Sequence, residues 1–140
     1  MDIRITDSDA ADAETIESEL LKALHESLRQ SRNEQFVLRA SCSSGEMIGG
    51  LTASSSYGWL LIKTLWVNQA YRGQGIGQAL MREAEDRGRT MGCHSAWLDT
   101  SNPASQVFYD KLGYIEFGHL RNGAEQFPPE HQRWFMKKSL

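Results

Sequence analysis

A glycine-rich segment, residues 71–77, is the part of the chain whose composition most clearly suggests chemistry. It lies between an apolar run that predicts a buried strand and a periodic pattern that predicts a helix. The N-terminus of a helix carries unpaired N–H groups and the positive end of the helix dipole, and glycines let an anion approach the backbone. The segment therefore predicts a phosphate-binding loop.

The spacing of this segment excludes two common phosphate-binding patterns. A Walker A loop requires Gly-Lys followed by Ser or Thr, whereas Gly77 is followed by Gln78. The dinucleotide fingerprint requires glycine at its first, third and sixth positions; Gly73 and Gly75 fit, but the sixth position is Gln78. What remains is Arg-x-x-Gly-x-Gly, which runs from Arg72 to Gly77.

This pattern resembles the pyrophosphate-binding motif of the GNAT superfamily of N-acetyltransferases. The resemblance extends to the lead-in at residues 65–72 and to a later block, in which Asn102 and Tyr109 precede Lys-Leu-Gly-Tyr at residues 111–114. It covers about residues 47–117, whereas residues 1–30 agree only in their strand–helix order. The resemblance implies an acetyl-CoA-dependent N-acetyltransferase that moves an acetyl group to an amine of a small molecule by direct attack on the thioester.

The resemblance also implies which residues would bind the cofactor. Backbone N–H groups of residues 74–77 would hold the pyrophosphate, with Arg72 closing the loop. The strand ending near Val67 would diverge from the strand beginning near Ser95, and the pantetheine arm would pair with backbone groups in the gap. The expected cofactor-binding residues are Leu65, Trp66, Val67, Arg72, Gly73, Gln74, Gly75, Ile76, Gly77, Asn102 and Tyr109.

Two groups are expected to take part in the reaction itself. Tyr109 would protonate the departing thiolate, since a phenol with a pKa of about 10 stays protonated at neutral pH. The backbone N–H of Val67 would stabilise the oxyanion. Adjacent helical residues point about 100° apart, so we expect Phe108 in the core and Tyr109 at the site. Asn102 has two interpretations: contact with the cofactor, or a helix N-cap before Pro103.

The group that removes the proton from the amine is left open by the sequence. Asp99 is the last residue of a predicted strand, Glu46 lies near a predicted turn, and His119 and His131 bound a late loop. Histidine titrates in the suitable range, and water is a further alternative. The four histidines show no metal-ligand spacing, so no metal is predicted.

Hydrophobic periodicity predicts the elements that position these residues. Together they indicate an α/β (α+β) fold with a mixed, mostly antiparallel sheet of about seven strands and helices on both faces. The predicted helices cover residues 10–31, 76 to about 91, and 103–112, and residues 119–131 are predicted to form a loop. The predicted strands cover residues 3–5, 36–40, 47–54, 59–67, 95–99, 114–117 and 133–137.

Length and composition predict a single cytoplasmic domain over residues 1–140. A net charge of −3 without a basic cluster argues against a nucleic-acid partner. No apolar run approaches the length of a membrane span, and the N-terminus lacks the layout of a signal peptide. Cys42 and Cys93, the two cysteines, are expected to be reduced thiols.

The sequence also departs from the family pattern. One helix precedes residue 36, where many members have two that shape the acceptor site. The acceptor pocket is therefore expected either to be more open or to be completed by the loop at 119–131 or by a second subunit of a homodimer. Catalysis also has rivals: a silent acyl-CoA-binding or sensing module of the same fold, a nucleotide-binding regulatory domain, and an interaction protein that docks through residues 126–134. The nucleotide alternative would require a Lys or a Mg²⁺-binding Ser/Thr in the loop, which is absent.

Overall fold

A computed structural model describes all 140 residues, in two compact units formed by residues 1–31 and 32–140. The first unit contains the helix α1 (Ala10–Ser27). The second contains β1 (Glu34–Ser41), β2 (Met47–Ser56), β3 (Trp59–Val67), α2 (Ile76–Thr90), β4 (Ser95–Thr100), α3 (Pro103–Lys111), β5 (Ile115–Arg121) and β6 (Gln132–Ser139). None of the helices has the length and apolar character needed to cross a membrane.

In the first unit, α1 is shorter than predicted and the predicted strand is missing. Asp9 caps the helix by accepting a hydrogen bond from the N–H of Asp12. The helix ends at Ser27 because the backbone of Leu28 is extended. Residues 3–5 form no strand, since three alternating residues can make few of the ladder hydrogen bonds that hold a strand. The sheet therefore has six strands rather than about seven.

The second unit is a mixed sheet in the order β1-β2-β3-β4-β6-β5. Every neighbouring pair is antiparallel except β3 and β4, which are parallel and joined by α2. Helical crossovers are the usual link between parallel strands. The predicted mixed, mostly antiparallel α/β fold is thus confirmed. The last predicted loop is shorter than expected, since β5 extends to Arg121.

The two parallel strands pair over only part of their length. Trp59–Leu61 of β3 is opposite Ser95–Trp97 of β4. Beyond that point β3 continues to Val67 and β4 to Thr100 without pairing to each other. A gap in the sheet therefore opens at the carboxyl ends of these strands, as the family resemblance implies.

The hydrophobic core fixes both helices of this unit relative to the gap. Leu80, Met81 and Ala84 of α2 and Tyr109 of α3 belong to one buried cluster with strand residues such as Leu60 and Leu98. At Gly88 the packing is so close that an added Cβ would lie 2.9 Å from Leu60 Cδ2. The shared core places the N-terminus of α2 and one face of α3 beside the gap.

Candidate active site

A cleft of about 730 Å³ lies at the open end of the β3–β4 gap. It is bordered by the end of β3, the glycine-rich segment, the first turn of α2 and one face of α3. Of the residues predicted to bind the cofactor, all but Gln74 line it. The structure thus brings together Leu65, Trp66, Val67, Arg72, Gly73, Gly75, Ile76, Gly77, Asn102 and Tyr109.

The glycine-rich segment has the geometry of an anion-binding loop. Gly73 and Gly75 have φ values of +78° and +81°, in the left-handed region that favours glycine. A Cβ built at either residue would meet no protein atom within 4 Å, so the glycines leave open space beside the backbone. Gly75 is the N-cap of α2 and offers no side-chain hydrogen bond to the first turn. The unpaired N–H groups of that turn are available to an anion.

Arg72 connects this loop to the end of β3. Its Nε donates a hydrogen bond to the carbonyl oxygen of Val67 at 3.0 Å. The intervening chain forms a short 3₁₀ turn, which Asn68 caps by accepting from the N–H of Ala70. Arg72 therefore links the glycine-rich segment to the end of β3 through a contact with the protein backbone, and its contact with the pyrophosphate stays a prediction.

The backbone of Val67 is directed into the gap. The N–H of the next residue, Asn68, donates to the carbonyl oxygen of Ile48 on the β2 side at 2.7 Å. Backbone groups of successive strand residues point to opposite sides of the strand. The N–H of Val67 therefore points away from β2, and so does that of Leu65. Both positions can form β-like hydrogen bonds with a ligand in the gap.

Tyr109 is a buried phenol whose hydroxyl group has no hydrogen-bond partner in the protein. Its side chain is 8% exposed and still lines the cleft. Burial raises the pKa of Tyr109 above its ordinary value, because the charged phenolate is poorly solvated there. The hydroxyl group therefore keeps its proton at neutral pH and is free to donate it.

The expected division between Phe108 and Tyr109 is wrong. Phe108 is half-buried, more exposed than Tyr109, and it also lines the cleft. Its ring covers Gly77, where an added Cβ would lie 3.4 Å from Phe108 Cζ. Because α3 runs along the rim, two adjacent residues can both border the cleft although they point in different directions.

The helix N-cap interpretation of Asn102 is confirmed, and its contact with the cofactor stays a prediction. Its Oδ1 accepts a hydrogen bond from the N–H of Ala104 at 2.9 Å and so caps α3. The residue also lines the cleft at the end of β4. The cap fixes the amide in place and leaves its Nδ2 group without a protein partner.

The candidate carboxylate bases lie outside the cleft. Asp99 forms an ion pair with Arg133, with 2.7 Å between Oδ2 and Nε. Glu46 follows the turn between β1 and β2, where its carbonyl oxygen accepts from the N–H of Cys42. Neither carboxylate is among the groups that line the cleft.

The candidate histidine bases also lie outside the cleft. His119 stacks on Trp134 with ring centroids 5.5 Å apart, and its Nε2 lies 2.8 Å from Gln132 Oε1. His131 Nε2 lies 3.4 Å from the hydroxyl oxygen of Ser101, which is adjacent to Asn102 in the chain. His131 is thus linked to the chain segment that leads into Asn102 at the cleft.

Seven further residues line the cleft that the sequence had not assigned to the site. Five of them lie on α3 or at its end, and three of these, Ser105, Phe108 and Leu112, share the helical spacing of one face with Tyr109. That spacing around Tyr109 is a signal that could have identified them. The seven are Tyr71, Gln78, Ala104, Ser105, Phe108, Lys111 and Leu112.

Comparison with known proteins shows a consistent similarity. Residues 4–114 match the model of the Acetyltransferase (GNAT) family. An acetyltransferase of Agrobacterium fabrum is 33% identical over 116 residues, which cover 81% of this chain and 85% of the relative. The blasticidin-S acetyltransferase of Streptomyces morookaense is 31% identical over 108 residues, which cover 76% of each protein.

Solved structures have the same fold. A crystal structure of an acetyltransferase from Bacillus cereus superposes with a TM-score of 0.88 at 27% identity, over 99% of this chain and 98% of the other. A crystal structure from Bacillus anthracis, solved in complex with acetyl coenzyme A, superposes with a TM-score of 0.67 at 19% identity. The match covers 79% of this chain and 64% of that one, and at this identity it shows the fold alone.

Proposed function

Since the chain belongs to the GNAT acetyltransferase family, we propose that it transfers the acetyl group of acetyl-CoA to an amine of a small molecule. The observation that carries the proposal is the set of groups that line one cleft. An anion-binding loop, the backbone groups of β3 in an open gap and an unpaired buried phenol line the same space. These three features match the pyrophosphate, the pantetheine arm and the thioester sulfur of one extended ligand.

The residues of the cleft fit this cofactor, which would supply an acetyl group activated as a thioester. The open space beside Gly73 and Gly75 and the uncapped first turn of α2 suit the pyrophosphate. The backbone groups of Leu65 and Val67 suit the amides of the pantetheine arm. Lys111 also lines the cleft and adds a positive charge that favours an anionic ligand.

Two groups of the chain would then lower the barrier for attack by the amine. The N–H of Val67 donates to the acetyl oxygen as that oxygen gains negative charge, and it is already oriented before the reaction. Tyr109 donates its proton to the sulfur as the C–S bond breaks. No carboxylate or imidazole lines the cleft. We therefore assign removal of the amine proton to water, with His131, which contacts Ser101 next to Asn102, as an alternative.

The acceptor is proposed from the relatives. One of them is named for acetylating a small antibiotic, blasticidin S, and that protein is similar over most of this chain. A cytoplasmic location is proposed on the cysteines, since Cys42 and Cys93 are both free thiols. The alternative function, a silent acyl-CoA-binding module, is disfavoured by Tyr109. A hydroxyl group that borders the cleft without a partner in the protein is available as a proton donor, and binding alone does not require one.

The proposal is tested by measuring release of free coenzyme A thiol from acetyl-CoA across a panel of primary amines. We expect release that depends on one class of amine, with formation of the matching N-acetyl product detected by mass spectrometry. Coenzyme A binding without release for any amine in the panel would contradict catalysis and favour the sensing module. Coenzyme A binding is measured by titration into the protein, and a titration with ATP in its place should show no binding.

A second prediction concerns the end of β3. A Cβ added at Gly49 on β2 would lie 2.9 Å from the carbonyl oxygen of Trp66. A backbone carbonyl group, unlike a flexible side chain, cannot rotate away from it. We expect Gly49→Ala to displace Trp66 and Val67 and to lower kcat by about 10-fold or more, since small misplacements at a reacting centre are costly. Steady-state kinetics at saturating acetyl-CoA measures this.

The next residue provides a matched control for this prediction. A Cβ added at Gly50 would lie 3.0 Å from the carbonyl oxygen of Leu38 and would therefore displace β1, away from the gap. We expect Gly50→Ala to lower thermal stability by a similar amount and to retain most of the wild-type kcat. Equal losses of kcat in the two variants would mean that the position of β3 is not what the reaction depends on.

A further inference from the structure

Next to Tyr109 lies a polar trio that the proposed mechanism does not use: Glu85 of α2, Tyr114 immediately before β5 and the partly exposed Lys138 of β6. Glu85 is 5% exposed and Tyr114 is fully buried. The hydroxyl group of Tyr114 donates to Glu85 Oε2 at 2.8 Å, and Lys138 Nζ donates to Glu85 Oε1 at 2.7 Å. Both oxygens of the buried carboxylate are therefore engaged.

The trio fixes the ring of Tyr114 in one orientation. The carboxylate of Glu85 accepts two charge-assisted hydrogen bonds, one from Lys138 and one from the phenol of Tyr114. Lys138 thereby holds the carboxylate in place, and the carboxylate holds the phenol. The Lys138 ammonium also lies 5.7 Å from the centroid of the Tyr114 ring. Breaking one of these contacts would leave a buried polar group unsatisfied, so rotation of the ring is strongly disfavoured.

Tyr114 in turn contacts Tyr109 through both ring and backbone. The two rings meet edge to face with centroids 6.0 Å apart. The N–H of Tyr114 donates to the carbonyl oxygen of Tyr109 at 3.1 Å, across the turn where Gly113 has a φ of +97°. The hydroxyl group of Tyr109 forms no hydrogen bond within the protein that would orient the ring. Its ring is held only by packing, against Phe108 on one side and Tyr114 on the other.

We propose that Tyr114, anchored by Glu85 and Lys138, is a positioning residue that holds the Tyr109 ring in the orientation needed for proton donation. This inference rests on the proposed role of Tyr109 as the general acid. Tyr114 does not line the cleft in which cofactor and acceptor would bind. It acts by limiting the orientations of the neighbouring ring, so that the hydroxyl group of Tyr109 points into the cleft before the substrates bind.

A double-mutant cycle distinguishes positioning from stability. Tyr114→Phe keeps the ring and removes the bond to Glu85, and we expect it to lower kcat by about 10-fold with an unchanged KM for acetyl-CoA. In a Tyr109→Phe background the same substitution should leave kcat unchanged, because no acid remains to be positioned. Glu85→Gln should show the same pattern. Tyr114→Phe should lower Tm equally in both backgrounds.

Leu38→Ala serves as a control for loss of stability. Leu38 is a buried residue of β1, at the opposite edge of the sheet from β5. Its truncation should lower Tm by at least as much as Tyr114→Phe while leaving kcat unchanged at a temperature at which the protein stays folded. Equal loss of kcat from Tyr114→Phe with and without the Tyr109 hydroxyl group would overturn the proposal.

A readout independent of activity covers the case in which Tyr109 is not the acid. With 3-fluorotyrosine in place of the four tyrosines, the ¹⁹F resonance of Tyr109 is assigned by its loss in Tyr109→Phe. We expect Tyr114→Phe and Glu85→Gln to shift or broaden that resonance, and Leu38→Ala to leave it in place. If Tyr109→Phe keeps full kcat, the general-acid role fails, while a shifted resonance still supports positioning. An unmoved resonance overturns positioning whatever the kinetics show.

Discussion

Replacing Tyr109 by phenylalanine should lower kcat by about 10²-fold or more, because the thiolate would depart without a proton donor. The substitution removes one hydroxyl group that has no partner in the protein and keeps the ring packed against Phe108 and Tyr114. The fold and the affinity for coenzyme A should therefore change little. Rapid-mixing or steady-state thiol release with the best amine from the panel measures kcat, and calorimetry measures coenzyme A binding.

The pH dependence of kcat provides a second test of Tyr109 as the proton donor. Tyr109 donates only while it is protonated, and burial raises its pKa above the ordinary value of about 10. The proton donor should therefore persist through neutral and mildly alkaline pH, and kcat should fall only as the pH rises above the raised pKa. Tyr109→Phe should lack this alkaline fall. A wild-type rate that already declines between pH 8 and 9 would contradict the assignment.

Tyr71 provides the matched control for Tyr109. It is a second tyrosine that lines the cleft, at the end where the glycine-rich segment begins. Tyr71→Phe also removes one phenolic hydroxyl group, but at the glycine-rich end of the cleft rather than at the proposed proton donor. We expect kcat to stay near the wild-type value. A loss as large as that of Tyr109→Phe would show that hydroxyl groups matter to the cleft generally, and would remove the argument for a specific acid.

Gly75→Asp should weaken the binding of coenzyme A by about 10²-fold, through repulsion between the new carboxylate and the pyrophosphate a few ångströms away. Gly75 is the uncapped N-cap of α2, and space beside its backbone is open. Asp is among the residues that best tolerate a positive φ, so the cost to folding is modest. Isothermal titration of coenzyme A into the variant measures the loss, which added salt should reduce.

Two controls separate charge repulsion from backbone strain. Gly45, in the turn between β1 and β2, has a φ of +86° and equally open surroundings, so Gly45→Asp imposes the same strain outside the cleft. It should bind coenzyme A as the wild type does. A pantetheine thioester, which has no pyrophosphate, should bind equally to the wild type and to Gly75→Asp. Equal weakening of both ligands would show that the loop does not bind phosphate.

Local sequence determined most of the elements of the larger unit. The prediction of β3 agrees with the structure at both ends, and α2 and α3 agree within one or two residues. Each of these segments has strong periodicity and a clear boundary, such as Gly75 before α2 and Pro103 at the first turn of α3. Such signals depend on the residue and its neighbours in the chain, so they can be interpreted without knowledge of the fold.

The failures of prediction occur where a residue depends on a partner distant in sequence. Residues 3–5 alternate as a strand does, but a strand exists only where another offers hydrogen bonds. Phe108 was assigned to the core because its neighbour was assigned to the site, and the position of α3 at the rim exposes both to the cleft. Residue type alone suggests the four candidate bases, and the folded chain places all of them outside the cleft lining.

By itself, then, the sequence determined the family, the phosphate-binding loop and the identity of Tyr109 as the residue to test, because motif and spacing are properties of the chain. Only the tertiary structure decided how these parts cooperate. It turned the N–H of Val67 into the gap, joined Arg72 to the end of β3, and brought Glu85, Tyr114 and Lys138 together next to Tyr109 from separate parts of the chain. Those relations link residues up to 53 positions apart, and no local pattern encodes such contacts.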